Sequence, residues 1–138
     1  MQSGGSTTCV MVELPENSNL PDQNEIKTLN FGDSGYMLIR NGEVLFRSAS
    51  QQHYFDCPFQ AGKLYDLPTD SKSEAHQVRE GDLIVMATDG VWDNLFESDI
   101  MTCVNSSRDL GNISKCISTL AEVKSYDPKY ESPWYKEA

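Results

Sequence analysis

The apolar positions of this chain change their spacing along its length, from short runs typical of strands to a helical period near the end. The predicted strands are Ser6–Leu14, Lys27–Phe31, Tyr36–Arg40, Glu43–Arg47 and Leu83–Ala87. Runs this short and this rich in β-branched and aromatic residues favour strands over helices. Asn41-Gly42 separates two of them and predicts a tight hairpin, because both residues accept a positive φ.

In the last third of the chain, apolar residues recur at helical spacing. The two sets are Ile100, Met101 and Val104, followed by Ile113, Cys116, Ile117 and Leu120. They predict one helix that begins near Glu97 or Ser98 and a second helix with Asn112 as its N-cap. Pro128 should end the second helix, since proline cannot continue it, and the aromatic tail at 131–135 shows no periodicity.

Two segments lack a regular apolar pattern and are predicted to be loops. Pro15–Asn24 is a short polar loop, whereas Ala49–Lys72 is a long connection. Connections of that length inside a compact domain are usually functional or mobile.

Length and charge narrow the classes of function. The chain has 138 residues, which is one domain or part of one, and its 21 acidic against 11 basic residues give a formal net charge of -10. Such a charge repels nucleic acids and anionic membranes and attracts divalent cations. No apolar run is long enough to span a bilayer, and these residues contain no secretory or mitochondrial targeting pattern.

The cysteines and histidines do not have the spacing of a metal site. The four cysteines are Cys9, Cys57, Cys103 and Cys116. Three of them lie in strand or helix patterns and are expected to be small core residues of a reduced protein, while Cys57 precedes a proline in a loop and is expected to be exposed. The two histidines, His53 and His76, lie far apart, so a zinc site is not expected. We expect His53 to have a packing role.

Two acidic corners, each preceded by a strand, carry the candidate chemistry. The first is the Asp33 corner at 31–35, and the second, at 88–93, contains Asp89, Gly90 and Asp93. If both corners converge, their carboxylates suit one hard divalent cation, and Gly90 would let the backbone approach it closely. Asp and Gly are also the usual residues of turns, and composition alone favours that simpler interpretation.

The order of three motifs resembles the PP2C-type metal-dependent serine/threonine phosphatases. These motifs are Gly5-Ser6-Thr7-Thr8-Cys9, then Asn30-Phe31-Gly32-Asp33-Ser34-Gly35, then Ala87-Thr88-Asp89-Gly90-Val91-Trp92-Asp93-Asn94. Two further segments are similar to one branch, the T-cell activation phosphatase homologues, which are usually mitochondrial. They are Gln51-Gln52-His53-Tyr54-Phe55 with Pro58-Phe59-Gln60, and Tyr126-Asp127-Pro128 with Ser132-Pro133.

The resemblance implies an α+β fold, an antiparallel β-sandwich flanked by helices, of which residues 1–138 form the middle and C-terminal part. It also implies a centre of two Mn²⁺ or Mg²⁺ ions that present a bridging hydroxide to phosphoserine or phosphothreonine. By position, Asp89 corresponds to a ligand of this centre, and Asp33, Asp89 and Asp93 to ligands of an additional, weaker metal position. Taken alone, Asp93 is equally consistent with a cap or a turn, and Trp92 with a core residue.

Some elements of the family pattern do not occur in these 138 residues. The first acidic pair, the Asp-Gly-x-Gly-Gly motif and the phosphate-binding arginine of the family precede the segment that matches Ser6, and an Asp-Asp strand follows the segment that matches Trp134. We therefore expect this chain alone to be inactive. The alternatives are a catalytically silent binding module that retains at most a weak cation site, and a fragment without a stable fold.

The expected partner is a phosphorylated protein, and the expected location is intracellular, with the mitochondrion implied by the resemblance. An incomplete sandwich would also leave unpaired sheet edges, which favour self-association. The apolar residues predicted to be uncovered are Val10, Val12, Leu38, Ile84 and Met86.

Overall fold

The computed structural model describes residues 4–15, 24–62 and 66–138. Its strands are β1 (Ser6–Thr7), β2 (Cys9–Glu13), β3 (Glu25–Phe31), β4 (Gly35–Arg40), β5 (Glu43–Arg47), β6 (Gln52–Tyr54), β7 (Cys57–Pro58), β8 (Ala61–Gly62), β9 (Lys72–Gln77) and β10 (Leu83–Ala87). Its helices are α1 (Asp89–Trp92), α2 (Glu97–Ser106), α3 (Leu110–Ser125) and α4 (Pro133–Glu137). No helix in these ranges is long and apolar enough to cross a membrane.

The strands form two three-stranded antiparallel sheets and two small pairs. One sheet has the order β2-β3-β9 and the other the order β10-β4-β5, while β1 pairs with β8 and β6 with β7. The β4–β5 connection is the predicted hairpin, with Asn41 at φ 50° and Gly42 at φ 76°. The hairpin places β5 beside β4, and β10 pairs with the other edge of β4.

Strand β4 lies at the centre of the layers. The Tyr36 hydroxyl reaches the other sheet, where it is 2.8 Å from Thr28 Oγ1 and 2.7 Å from His76 Nε2. Met37 and Ile39, whose side chains alternate with that of Tyr36, belong instead to the apolar cluster formed with α2 and α3. The layer order is therefore sheet, sheet, helices, and the α+β prediction is confirmed.

The predicted helical faces form the core, but the second helix begins one turn earlier than expected. Ile100, Ile113 and Ile117 are buried in the cluster. Asp109, rather than Asn112, is the N-cap, and its carboxylate accepts a hydrogen bond of 2.8 Å from the Asn112 amide. Because Asp109 is the cap, the helix has an additional first turn that contains Leu110. Leu110 is exposed and lies outside the apolar pattern, so the sequence did not indicate this turn.

Two expectations about side chains are wrong, namely that Cys103 and Cys116 are reduced and that Leu38 is uncovered. Cys103 and Cys116 form a disulfide between α2 and α3, because the apolar faces of the two helices pack together and place the two residues opposite each other. Leu38 is 3 % exposed, because it lies on the face of β4 that is covered by the other sheet. Val10, Val12 and Ile84 are half-buried, whereas Met86 is 46 % exposed. Cys9 and Cys57 are free and half-buried, so Cys57 is less exposed than predicted.

The remaining differences concern segments with weak local signals. The predicted strand at 6–14 is divided at Thr8, because β1 pairs with β8 while β2 pairs with β3. Strand β9 was not predicted, since its sequence is polar and only its pairing with β3 makes it a strand. Helix α4 was also not predicted, although Ser132 caps it and Pro133 occupies its first position. Of the predicted polar loop, residues 16–23 lie outside the described ranges.

Candidate functional site

The Asp33 corner is held by close contacts that require glycine on both sides. Gly32 has φ +99°, and a Cβ there would lie 2.6 Å from the Phe59 carbonyl oxygen. A Cβ on Gly35 would lie 2.7 Å from Ser48 Oγ. The turn is further fixed by the buried Ser34, whose hydroxyl is 3.1 Å from Thr8 Oγ1. These contacts fix the backbone that carries the Asp33 carboxylate.

The second corner directly follows β10, an edge strand in which only Val85 is fully buried. Thr88 is extended, and the chain then forms the single turn of α1, which begins with Asp89 and has Asp93 as its C-cap. Trp92 is buried beneath this turn, and its indole Nε1 donates a hydrogen bond of 2.8 Å to the Ala87 carbonyl. The interpretation of Trp92 as a core residue is confirmed. Among the residues that the structure describes, a Cβ on Gly90 would meet Thr88 Oγ1 alone, at 3.6 Å, so none of their atoms requires glycine there.

The two corners share one electrostatic environment. Burial raises the pKa of Asp93 to about 6, with further contributions from the charges of Asp89, Asp33, Asp56 and Glu137. Burial also raises the pKa of Asp33, and the Asp89 charge is the next cause. Like charges raise a carboxyl pKa in this way when they lie near one another without a cation to compensate them. The fold thus brings the three predicted carboxylates into one neighbourhood.

This neighbourhood is not a closed ligand set. Within the ranges that the structure describes, no three His, Cys, Asp or Glu side chains converge closely enough to hold one metal ion. The roles predicted for Asp33, Asp89, Asp93 and Gly90 at a metal therefore stay predictions.

Two acidic residues that were not predicted complete this environment. Asp56 has φ +60° in the turn between β6 and β7, and its carboxylate accepts a hydrogen bond of 3.1 Å from Trp134 Nε1. Helix α4 reaches the site because the Trp134 amide donates to the Asp93 carbonyl at 3.2 Å. Glu137, one turn later on α4, then lies near Asp93. Asp56 and Glu137 lie far from Asp33 along the chain and share no motif with it, so the sequence did not indicate that they belong to this site.

Asp33 lines two neighbouring cavities. The first, which we call the acidic pocket, has a volume of about 400 Å³. Its lining residues are Ser6, Thr7, Thr8, Asp33, Pro58, Gln60, Thr88 and Asp89. The second, which we call the arginine cleft, has a volume of about 230 Å³. Its lining includes Asp33, Ser34, Arg47, Ser48, Trp92 and Glu137.

His53 lies in strand β6 and has a packing role there, as predicted. Its ring stacks on Phe59 with centroids 4.4 Å apart, and its Nε2 is 2.8 Å from Asp66 Oδ1. The hydrogen bond from His53 is the main reason why the pKa of Asp66 lies below its usual value.

No protein-family model matches the chain, but individual proteins match nearly all of it. Probable protein phosphatase 2C 26 of Arabidopsis thaliana is 36% identical over 138 residues, which are 99% of this chain and 44% of that protein. Protein phosphatase PTC7 homolog of Danio rerio is 36% identical over 145 residues, covering 95% of this chain and 47% of that protein. The chain thus spans about half the length of the curated relatives it matches.

Solved structures show the same relationship. The X-ray structure of the photosystem II phosphatase PBCP matches with a TM-score of 0.90 and 31% identity, covering 99% of this chain and 53% of that one. The S. agalactiae serine/threonine phosphatase matches with a TM-score of 0.63 and 19% identity, covering 72% of this chain and 49% of that one, and this match shows the fold alone. The chain is therefore homologous to protein phosphatase 2C proteins over nearly its whole length, and the predicted resemblance is confirmed.

Proposed function

From its homology to the protein phosphatase 2C family, we propose that this chain is part of a metal-dependent phosphatase acting on phosphoserine or phosphothreonine in proteins. The observation that supports this most directly is the shared environment of Asp33, Asp89 and Asp93 beside the acidic pocket. These carboxylates lie in the two motifs that resemble the metal-binding segments of the family. The phosphoprotein substrate is part of this proposal.

The donor set suits a hard divalent cation. Mg²⁺ and Mn²⁺ prefer carboxylate and water oxygens, and the described residues around the pocket provide carboxylates and hydroxyls rather than thiolates. Burial, followed by repulsion from the neighbouring carboxylates, makes the ionised forms of Asp33 and Asp93 unfavourable, and a cation beside these groups would offset that cost. The residues therefore fit such an ion, and either Mn²⁺ or Mg²⁺ satisfies this chemistry.

The carboxylates and two polar residues of the acidic pocket have different proposed roles. When bound, divalent cations supply the Lewis acidity that phosphoester hydrolysis needs. Asp89 would be a ligand of the principal centre, and Asp33, Asp89 and Asp93 would be ligands of a further, weaker position. Thr7 and Gln60 line the same pocket and offer hydroxyl and amide groups to the phosphoester oxygens.

A second candidate function is a catalytically silent module that binds a cation weakly. The observation that favours it is that no three ligating side chains converge within the described ranges. The two candidates differ in turnover, because a weak cation site alone does not position a nucleophile for hydrolysis. An intracellular location, in the mitochondrion by family resemblance, is a further proposal that fractionation would test.

The deciding experiment is a phosphatase assay on the protein as the cell makes it, with phosphothreonine peptides and added Mn²⁺ or Mg²⁺. We expect metal-dependent turnover that Asp89→Asn lowers by about 100-fold or more. The reason is that loss of a metal ligand weakens the metal's stabilisation of transition-state charge, which amounts to several kcal/mol. The matched control is Asp109→Asn, which removes the same charge from a helix N-cap while keeping a good capping residue. Metal binding without turnover would instead favour the silent module.

A further inference from the structure

The arginine cleft lies next to the acidic pocket and differs from it in charge. Asp33 lines both cavities, so the two cavities adjoin each other at this side chain. Asp33 and Glu137 contribute two negative charges to the arginine cleft. Among the described residues that line it, Arg47 contributes the positive charge.

Arg47 is held in position but not neutralised. It is the last residue of β5, paired with Met37 of β4, and its guanidinium carbon lies 5.1 Å from the centroid of the Trp92 ring. A cation over an aromatic face keeps its N–H donors free for another partner. In the part of the chain that the structure describes, none of the salt bridges involves Arg47, and the residue is exposed.

The elements around Arg47 also restrict its position. Trp92, beneath the guanidinium, is fixed by its hydrogen bond to Ala87. Ser48, the next residue, accepts a hydrogen bond of 2.9 Å from the Tyr36 amide through its hydroxyl and donates its own amide to the Tyr36 carbonyl at 3.0 Å. A free guanidinium on a fixed support is suited to bind an anionic oxygen group at a defined place, since little order is lost on binding.

We propose, on the basis of the proposed function, that Arg47 is a substrate-binding residue that contacts an anionic oxygen group of the bound phosphoprotein. The group is either the phosphate itself or the carboxylate of an acidic residue beside the phosphorylated one. Without Arg47, the cleft would carry only the charges of Asp33 and Glu137 in a chain of net charge -10, and would repel both groups.

The test compares Arg47→Gln and Arg47→Lys with the wild-type protein as the cell makes it, supplied with Mn²⁺. Two phosphothreonine peptides are used, identical except for Glu or Gln next to the phosphorylated residue. We expect Arg47→Gln to raise KM by about tenfold, the effect of losing one charge-assisted hydrogen bond, with kcat nearly unchanged. Arg47→Lys should restore part of the loss, and the exposed Arg108→Gln should change nothing.

A binding measurement gives a readout that is independent of turnover. Fluorescence anisotropy with peptides that carry a non-hydrolysable phosphonate should show the same tenfold loss of affinity for Arg47→Gln. An equal loss for both peptides assigns the contact to the phosphate, and a loss confined to the Glu peptide assigns it to the neighbouring carboxylate.

The outcomes separate this inference from the proposed function. If no phosphopeptide is hydrolysed but the phosphonate peptides bind through Arg47, the phosphatase proposal fails and the role of Arg47 stands. The role of Arg47 is overturned if Arg47→Gln binds both phosphonate peptides as tightly as the wild type, or if the wild type binds neither. If Arg47→Gln changes the thermal unfolding temperature but neither KM nor peptide affinity, the role of Arg47 is limited to packing on Trp92.

Discussion

The indole of Trp92 is hydrogen-bonded to the carbonyl of Ala87 at 2.8 Å, so the turn that carries Asp89 and Asp93 is bonded to the end of strand β10. The bond joins a side chain at the end of α1 to the backbone two residues before Asp89. It fixes the position of the α1 turn, with Asp89 at its start and Asp93 as its C-cap, relative to the end of β10. Trp92 thereby links the core of the fold to the acidic pocket.

Replacing Trp92 with Phe should therefore weaken the site as well as the core. Trp92→Phe keeps an aromatic ring but leaves the Ala87 carbonyl without its donor, which should lower the free energy of unfolding by about 1–3 kcal/mol. Mn²⁺ affinity should fall as well, because the Asp89 turn is less well fixed. Thermal unfolding and calorimetric titration measure the two effects. Tyr126→Phe, at an exposed position, is the control, and equal Mn²⁺ affinity in Trp92→Phe and the wild type would contradict the linkage.

Asp93 should make the metal-free protein less stable as the pH rises. Its pKa is about 6 in the folded chain against a usual value of 3.8 for an Asp side chain, so the folded state holds the proton more tightly. The stability that this proton contributes is fully present below about pH 4 and is lost as the pH rises through about 6.

Asp93→Asn should accordingly stabilise the metal-free protein at pH 7, by roughly 1 kcal/mol once solvent screening of the half-buried carboxylate is allowed for. Chemical unfolding between pH 4 and 7 in the presence of a chelator measures this effect. Glu131→Gln removes an exposed charge elsewhere and serves as the control. The explanation is wrong if the pH dependence of Asp93→Asn matches that of the wild type.

The N-cap of α3 can be tested by two substitutions three residues apart. Asp109→Ala removes the carboxylate that accepts the Asn112 amide, and should cost about 0.5–2 kcal/mol of stability. Asn112→Ala should be neutral or slightly stabilising, because Asn112 lies inside the first turn and alanine has the higher helix propensity. Urea unfolding of both variants measures the difference. If Asn112→Ala were the more destabilising change, Asn112 would be the N-cap, as predicted from the sequence.

Self-association should involve the edge strand β10. A groove of about 870 Å³ lies between β10 and α3, and Met86 and Leu110 line it with 46 % and 66 % of their surfaces exposed. Exposed apolar grooves beside an unpaired strand edge favour association. We expect light scattering to detect concentration-dependent association of the 138-residue chain, and Met86→Glu to reduce it. Leu67→Glu, a comparable change at an exposed position away from the groove, is the control. A monomeric wild-type chain at all concentrations would contradict this prediction.

The sequence by itself determined the elements whose signals are local. Strands β5 and β10 were predicted with their observed bounds, and the Asn41-Gly42 hairpin followed from the conformations that those two residues accept. The order of the acidic motifs indicated the family and selected Asp33, Asp89 and Asp93 for the site. Each of these inferences depends on side-chain period, turn chemistry or motif order, which are properties of neighbouring residues.

Only the tertiary structure decided which distant residues surround those carboxylates. Asp56 and Glu137 lie near Asp93 because the docking of Trp134 of α4 connects segments separated by 78 residues. Arg47 lines the adjacent cleft because the β4–β5 hairpin places the end of β5 over Trp92. Strand β9 and the Cys103–Cys116 disulfide likewise depend on pairing and helix packing. Such contacts arise from the packing free energy of the whole domain, which no local pattern of residues encodes.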